Sequence, residues 1–180
     1  MIKRAKSNQK ASPQQSGGSV LFLDFDGVMH PDAVYASGPK KAPTIKMQVP
    51  GCHLFENAEF VESVLLGYPH VAIVLSTTWC LHYGLEFAAR QLTPVLQTKI
   101  IGTTFDPEYP HFWRMAHWSR YGQIAADVER RKPTAWLAVD DDPARWPGAE
   151  RHHLLLTPSE LGFACVKAQA EFRLRMAEVF

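Results

Sequence analysis

The chain has 180 residues, the size of one domain and long enough to bury a sizeable apolar core. Hydrophobic residues make up 46% of the sequence and charged residues 21%, as is ordinary for a soluble globular protein. The formal net charge of +1 decides nothing about a nucleic-acid partner, because only a local basic patch would matter. No apolar run approaches the roughly 18 residues of a membrane span, so we expect no membrane association.

The amino-terminal residues carry cations but no apolar segment, so we expect that they are not a secretory signal. We expect residues 1–18 to be a disordered tail and residues 19–180 to form one folded domain. The three cysteines are widely spaced and match no metal-ligand pattern, which indicates free thiols in a reducing cytoplasm. They are Cys52, Cys80 and Cys165.

Short apolar runs alternate with helical patterns along the chain. Strands are expected at 19–24, 71–75, 98–102, 135–139 and 153–156. Helices are expected at 54–65, 79–91, 119–131 and 168–179. The polar, Pro-rich stretch 30–50 has no clear period and is expected to form a flap or small insert. This alternation predicts an α/β fold in which helices cover both faces of a mostly parallel sheet.

Three of the predicted strands end in groups suited to phosphate chemistry. These groups are Asp24 and Asp26, Ser76 and Thr77, and Asp140 to Asp142. Because open α/β sheets bind ligands outside the carboxyl ends of their strands, we expect these side chains to share one site. Carboxylates this close repel one another unless a cation lies between them. Oxygen ligands with few nitrogen or sulfur neighbours favour Mg²⁺.

These strand ends resemble the motifs of the haloacid dehalogenase (HAD) superfamily. The segment Asp24-Phe25-Asp26-Gly27-Val28 matches the first motif, D-x-D-G-[TV]; Ser76 matches the second, and Asp140-Asp141 the fourth. The runs LDFDGVMHPDAVY, LSTTW and WLAVDDD look more narrowly like small bacterial HAD domains that also occur fused to RNA-repair proteins. The resemblance implies a HAD-like Rossmannoid three-layer sandwich, capless or with only a small flap.

The resemblance also implies a magnesium-dependent phosphatase and a role for each motif residue. Asp24 would be the nucleophile, forming an aspartyl-phosphate and binding the metal. Asp26 would be the general acid and base, and its backbone carbonyl would be a metal ligand. Ser76 would hydrogen-bond the phosphoryl group, with Thr77 as the alternative. The Asp140-Asp141 pair would complete the metal site, and which of the two binds directly stays open.

The third HAD motif is a cation, and three residues compete for it. Lys132 stands shortly before the strand at 135–139, which places it at the amino end, roughly 16 Å from the proposed site. Arg120 begins the helix leading into that strand, so it is expected near the carboxyl ends and is our candidate. Arg114 is the alternative.

Substrate contacts are expected near the first motif and in an aromatic stretch. Gly27 permits a sharp turn beside the substrate, and His30 is expected to contact the leaving group. The aromatic stretch at 109–118 mixes aromatic rings with cations, a composition that is equally typical of a nucleic-acid contact and of an ordinary packed loop. It comprises Tyr109, His111, Phe112, Trp113, Arg114, His117 and Trp118.

No large cap domain fits between the motifs. Because capless HAD enzymes tend to act on bulky substrates, the resemblance implies a bulky phosphorylated substrate. An RNA or DNA end carrying a phosphate is the specific hypothesis, and a nucleotide or small phosphometabolite is the alternative.

Two other classes of function compete with the enzyme: a non-catalytic module that binds a phosphorylated partner, and a receiver-like domain that keeps its aspartyl-phosphate. The D-x-D-G spacing and the later Asp pair favour the HAD enzyme, and the oligomeric state stays open.

Overall fold

The computed structural model describes residues 17–39, 43–105 and 118–180. The strands are β1 (Ser19–Leu23), β2 (Val34–Ser37), β3 (Thr44–Met47), β4 (Val71–Leu75), β5 (Ile100–Thr103), β6 (Ala135–Asp140) and β7 (Leu154–Leu156). The α-helices of the described residues are α1 (Ala58–Leu65), α2 (Thr78–Tyr83), α3 (Leu85–Ala89), α4 (Pro94–Lys99), α5 (Arg120–Arg131) and α6 (Val166–Val179). Short 3₁₀ turns cover Gly148–His153 and Gly162–Ala164.

Five strands form one parallel sheet in the order β5-β4-β1-β6-β7. Alternate side chains of the central strand β1 enter opposite cores, as the pleat requires. Leu21 and Leu23 pack in one core with residues of α1 and α6. Val20 and Phe22 pack in the other with Ile124 of α5. The predicted three-layer α/β architecture is therefore confirmed.

The predicted helix over 79–91 is two helices, because Gly84 interrupts it with φ of 88°. The predicted strand at 98–102 begins later, at Ile100, because α4 occupies residues up to Lys99. Thr93 caps α4 by accepting a hydrogen bond from the N–H of Leu96, and Pro94 fits its first position. These local helix-start signals prevailed over the apolar pattern.

Two further boundaries differ from the sequence prediction. The helix predicted from residue 54 begins at Ala58, because Phe55 has φ of 60°, outside helical geometry. The strand predicted from His153 begins at Leu154, because His153 closes a 3₁₀ turn. Its ring stacks on that of Trp136 with centroids 3.9 Å apart.

The insert after β1 contains an antiparallel hairpin of β2 and β3, in which Val34 pairs with Met47. This hairpin is the small flap that the polar stretch predicted. The predicted tail is described only from Gly17, whose N–H donates to the carbonyl of Arg131. All three cysteines are free thiols, as expected, and burial raises the pKa of Cys80 to about 12. No helix among the described residues is long and apolar enough to cross a membrane.

The strand register brings the motif residues to one edge of the sheet. Leu23 of β1 pairs with Leu75 of β4 on one side and with Val139 of β6 on the other. Asp24, Ser76 and Asp140 each come next along their strands, so they lie level with one another. Hydrogen bonds continue this register, since the N–H of Ser76 donates to the carbonyl of Leu23 at 3.0 Å.

Candidate active site at the carboxyl edge of the sheet

Three carboxylates meet at the carboxyl edge and are here called the acidic cluster: Asp24, Asp140 and Asp141. Each offers an oxygen atom, and these atoms lie within 4.8 Å of one another. Asp24 and Asp140 are buried, whereas Asp141 is partly exposed. The acidic cluster therefore offers oxygen atoms, the type of ligand that a hard divalent cation prefers, and one of its members is accessible to solvent.

Gly27 allows Asp141 to join the acidic cluster. Its φ is 70°, a conformation that side chains other than glycine rarely adopt, and a Cβ at this position would overlap the carboxylate of Asp141. Thr157 fixes the same turn, because its hydroxyl donates to the carbonyl of Gly27 at 2.7 Å and its N–H donates to the carbonyl of Asp140. The structure thus gives Gly27 a steric role beside the cluster.

Arg120 lies against two members of the acidic cluster. Its Nη2 donates to Asp24 Oδ2 at 2.7 Å, and its Nε lies 2.8 Å from Asp140 Oδ2 in an ion pair. Its Nη1 donates to the backbone carbonyl of Ser76. Ser119 caps α5 by accepting from the N–H of Gly122, so the helix start aims Arg120 at the carboxyl edge.

Burial is the largest single influence on the pKa values of these groups. It raises the pKa of Asp24 to about 6, although Arg120 and the N–H of Phe25 act in the opposite direction. Burial, followed by repulsion from Asp24, raises the pKa of Asp140 well above its usual range. Burial lowers the pKa of Arg120, but the surrounding carboxylates outweigh it and the net shift is upward. The edge therefore favours binding of an additional positive charge.

Ser76 and Thr77 follow β4 and are both fully buried. Thr77 caps α2, because its Oγ1 accepts a hydrogen bond from the N–H of Trp79 at 3.3 Å. The Ser76 hydroxyl has no hydrogen-bond partner among the described residues. Ser76 consequently has a hydroxyl proton available to donate beside Asp24.

Asp26 lies beside the acidic cluster but has different partners. Its carboxylate accepts from Trp79 Nε1, at 2.9 Å to Oδ2, and lies 3.0 Å from His30 Nε2. His30 is fully buried, and its Nδ1 accepts from the N–H of Phe55. Because both ring nitrogens are engaged and no ring atom is exposed, His30 has no group with which to contact a leaving group. The expected contact of His30 with the leaving group is therefore wrong, and the structure instead places His30 behind Asp26.

The other two candidates for the cation of the third HAD motif are Lys132 and Arg114. Lys132 lies away from the carboxyl edge, and Arg114 lies outside the described residues. Lys132 is the exposed C-cap of α5, two residues before Thr134, whose N–H donates to Gly18 at the amino end of β1. Arg114 and most of the aromatic stretch, residues 109–117, lie outside the described residues. Trp118, the last member of that stretch, is 41% exposed.

Sequence reasoning missed three residues that shape this site. Trp79 and Phe55 contact Asp26 or His30, and Thr157 holds the turn at Gly27. Trp79 had a visible signal, because it stands three residues after Ser76, at the start of the following helix. Neither Phe55 nor Thr157 stands in a periodic or motif position, so their contacts require the tertiary structure.

Replacing Asp24 with Asn should stabilise the protein in metal-free buffer at pH 7 by about 1–2 kcal/mol. A carboxyl whose pKa rises from 3.8 to about 6 on folding opposes folding once ionised, by an upper bound of roughly 3 kcal/mol. The lost hydrogen bond to Arg120 offsets part of the gain. The difference in free energy of unfolding between variant and parent should be small below pH 4, grow between pH 4 and pH 6, and level off above pH 6.

Chemical denaturation in EDTA across this pH range measures the difference. Glu129→Gln makes the same change of charge at an exposed position of α5 and should give a difference that stays small at every pH. A difference for Asp24→Asn that declines as the pH rises would contradict the prediction.

A family model described as the HAD domain in Swiss Army Knife RNA repair proteins matches residues 20–168. The match includes β1, β4 and β6, whose ends supply the site. Searches of curated proteins and of solved structures give no match. HAD domains form a superfamily of hydrolases that generally use Mg²⁺, and many members are phosphatases. Because the match spans well over half of its length, this chain belongs to the family of HAD domains found in Swiss Army Knife RNA repair proteins.

Proposed function

We propose that this protein is a magnesium-dependent phosphomonoesterase that works through an aspartyl-phosphate on Asp24. The observation that supports this best is the convergence at one sheet edge of a buried carboxylate, a guanidinium and an unpaired hydroxyl. These groups belong to Asp24, Arg120 and Ser76. They supply the nucleophile and two donors for phosphoryl oxygens, which are the requirements of phosphoryl transfer.

The acidic cluster fits Mg²⁺ by its donor chemistry. All of its side-chain ligands are carboxylate oxygens, and the one cation that pairs with them among the described residues is Arg120. Because buried charge is costly unless it is paired, and one guanidinium cannot balance three ionised carboxylates, the excess negative charge favours a further cation. Asp24, Asp140 and Asp141 would hold the ion, together with the backbone carbonyl of Asp26. Bound Mg²⁺ would neutralise charge on the phosphoryl oxygens.

In the proposed reaction, an oxygen of Asp24 attacks phosphorus and the bond to the leaving oxygen breaks. Asp26 gives its proton to that oxygen, so the product leaves as an alcohol. Ser76 and Arg120 donate to the phosphoryl oxygens during transfer. Asp26 then takes a proton from water, which attacks phosphorus, releases inorganic phosphate and restores the Asp24 carboxylate.

We propose a phosphorylated RNA end as the substrate. The family description names RNA repair proteins, and RNA repair requires the removal of phosphates from strand ends. The described part of the insert after β1 contains only a small hairpin. A large cap domain at this position would exclude a polymer from the site, whereas a small hairpin leaves room for one. Asp141 and Asp26 are both partly exposed, so the site is reachable from solvent.

Asp24→Asn should lower phosphatase activity by roughly 10³-fold or more, because the amide is a poor nucleophile. Phosphate release from 4-nitrophenyl phosphate with Mg²⁺, and with EDTA, provides the measurement. Glu129→Gln should match the parent, since it lies on an exposed face of α5. The enzymatic proposal fails if Asp24→Asn hydrolyses the substrate as fast as the parent.

The substrate proposal is tested separately with matched oligonucleotides. RNA and DNA strands with a 3′- or 5′-phosphate should be compared at equal concentration with nucleotides and sugar phosphates. We expect the highest kcat/KM on an RNA end. Activity confined to small phosphates would overturn the RNA proposal while leaving the phosphatase chemistry in place.

Gly27→Ala should raise the Mg²⁺ concentration required for half-maximal activity by about tenfold or more. The added Cβ would displace the Asp141 carboxylate, whose Cβ lies 2.8 Å from the new atom. Gly51→Ala is the matched control, because Gly51 also has a positive φ, of 81°, but no atom lies within 4 Å of its added Cβ. Calorimetric Mg²⁺ titration provides a second measurement. Equal effects of the two variants would show that backbone strain, and not displacement of Asp141, is responsible.

A further inference from the structure

We infer that Trp79 and His30 are positioning residues that hold the Asp26 carboxylate in place for proton transfer. The inference rests on the proposed function, in which Asp26 is the general acid and base. It adds two residues that do not touch the substrate. A general acid must remain within hydrogen-bond reach of the leaving oxygen, so a fixed carboxylate favours proton transfer.

Trp79 holds Asp26 from the start of α2. Its indole Nε1–H donates between both carboxylate oxygens, at 3.1 Å to Oδ1 and 2.9 Å to Oδ2. The indole is itself fixed, because Trp79 is only 4% exposed and packs against the rings of Phe25, Tyr83 and Phe87. A tryptophan indole N–H is a donor only, so the contact needs an acceptor at this position.

His30 holds the same carboxylate from the other side. Its Nδ1 accepts from the backbone N–H of Phe55 at 3.1 Å, so the ring carries its proton on Nε2. That Nε2–H donates to Asp26 Oδ1 at 3.0 Å. The backbone hydrogen bond thus selects the tautomer that can hold Asp26.

Phe55 is held in an unfavourable conformation to make this contact. Its φ is 60°, which costs an L-residue on the order of 1 kcal/mol or more. Its ring packs edge-on against Phe25, His30 and Trp79, at centroid distances of 4.9, 4.8 and 5.3 Å. This packing keeps the N–H of Phe55 in place to hold His30, and His30 in turn holds the proposed acid Asp26.

The two donors leave part of Asp26 free to react. Its side chain is 25% exposed, whereas His30 is fully buried. Oδ1 receives both donors, while Oδ2 receives only the shared indole hydrogen bond. Because a carboxylate oxygen has two acceptor sites, Oδ2 keeps one for the proton that it exchanges with the leaving oxygen or with water.

The test uses phenyl phosphates whose leaving groups range from 4-nitrophenol to 4-methoxyphenol. Good leaving groups need little protonation, so weakening a general acid affects the poorer ones most. Trp79→Phe keeps an aromatic ring but removes the donor. We expect its kcat/KM to fall less than about 3-fold with 4-nitrophenol as leaving group and about 10- to 100-fold with 4-methoxyphenol.

Trp146→Phe is the matched control. Trp146 is also 4% exposed, but its indole Nε1 has no hydrogen-bond partner among the described residues and it packs in the other core. It should keep the parent's dependence on the leaving group. If Trp79→Phe lowered kcat/KM equally for every leaving group, or not at all, the positioning role would be wrong. The proposed function would still stand, provided that the activity of the parent depended on Asp24. A parent without Asp24-dependent activity would overturn both.

His30 provides a second pair of variants if Trp79→Phe folds poorly. Gln can accept from Phe55 and donate to Asp26, so His30→Gln should stay close to the parent, whereas His30→Leu should show the selective loss. A reading independent of activity is the indole N–H resonance of Trp79. It should shift in Asp26→Asn and stay in place in Glu129→Gln, and an unshifted resonance in Asp26→Asn would contradict the contact.

Discussion

The ion pairs of Arg120 with Asp24 and Asp140 are the interaction on which the carboxyl edge of the sheet depends. Burial opposes ionisation of both carboxylates, and repulsion from neighbouring carboxylates adds to it. One guanidinium cannot balance the three carboxylates of the acidic cluster when all are ionised. The residual negative charge is the physical reason that a divalent cation fits here, and it makes protons and metal ions compete for the same oxygens.

The parallel sheet brings these charges together by its register. The paired residues Leu23, Leu75 and Val139 end three neighbouring strands at one level, so the next residue of each strand enters the same space. Two large cores on opposite faces fix that register, because slipping a strand by one residue would turn its apolar side chains to the wrong face. Folding energy from the cores thereby offsets the electrostatic cost of the site.

Much of this arrangement could be predicted from the sequence. Apolar runs marked the strands, the residues after them marked the edge, and strand polarity placed Arg120 near that edge and Lys132 away from it. The positive φ of Phe55, the break at Gly84 and the hydrogen bond from Trp79 to Asp26 could not be predicted in this way. They depend on side chains packed together across 53 residues or on single backbone torsions, and neither leaves a periodic pattern.

Asp24 and Asp26 show how neighbours in sequence acquire different surroundings. Asp24 is buried, is paired with the cation Arg120 and lies within the acidic cluster. Asp26 is partly exposed and is held by neutral N–H donors, which fix its orientation without adding a charge. Trp79 stands three residues after Ser76, so the end of β4 and the start of α2 bring the Ser76 hydroxyl to the carboxyl edge and the indole of Trp79 to Asp26. In the proposed reaction the hydroxyl would contact the phosphoryl group and the indole would hold the acid, so both proposed roles depend on the way β4 leads into α2.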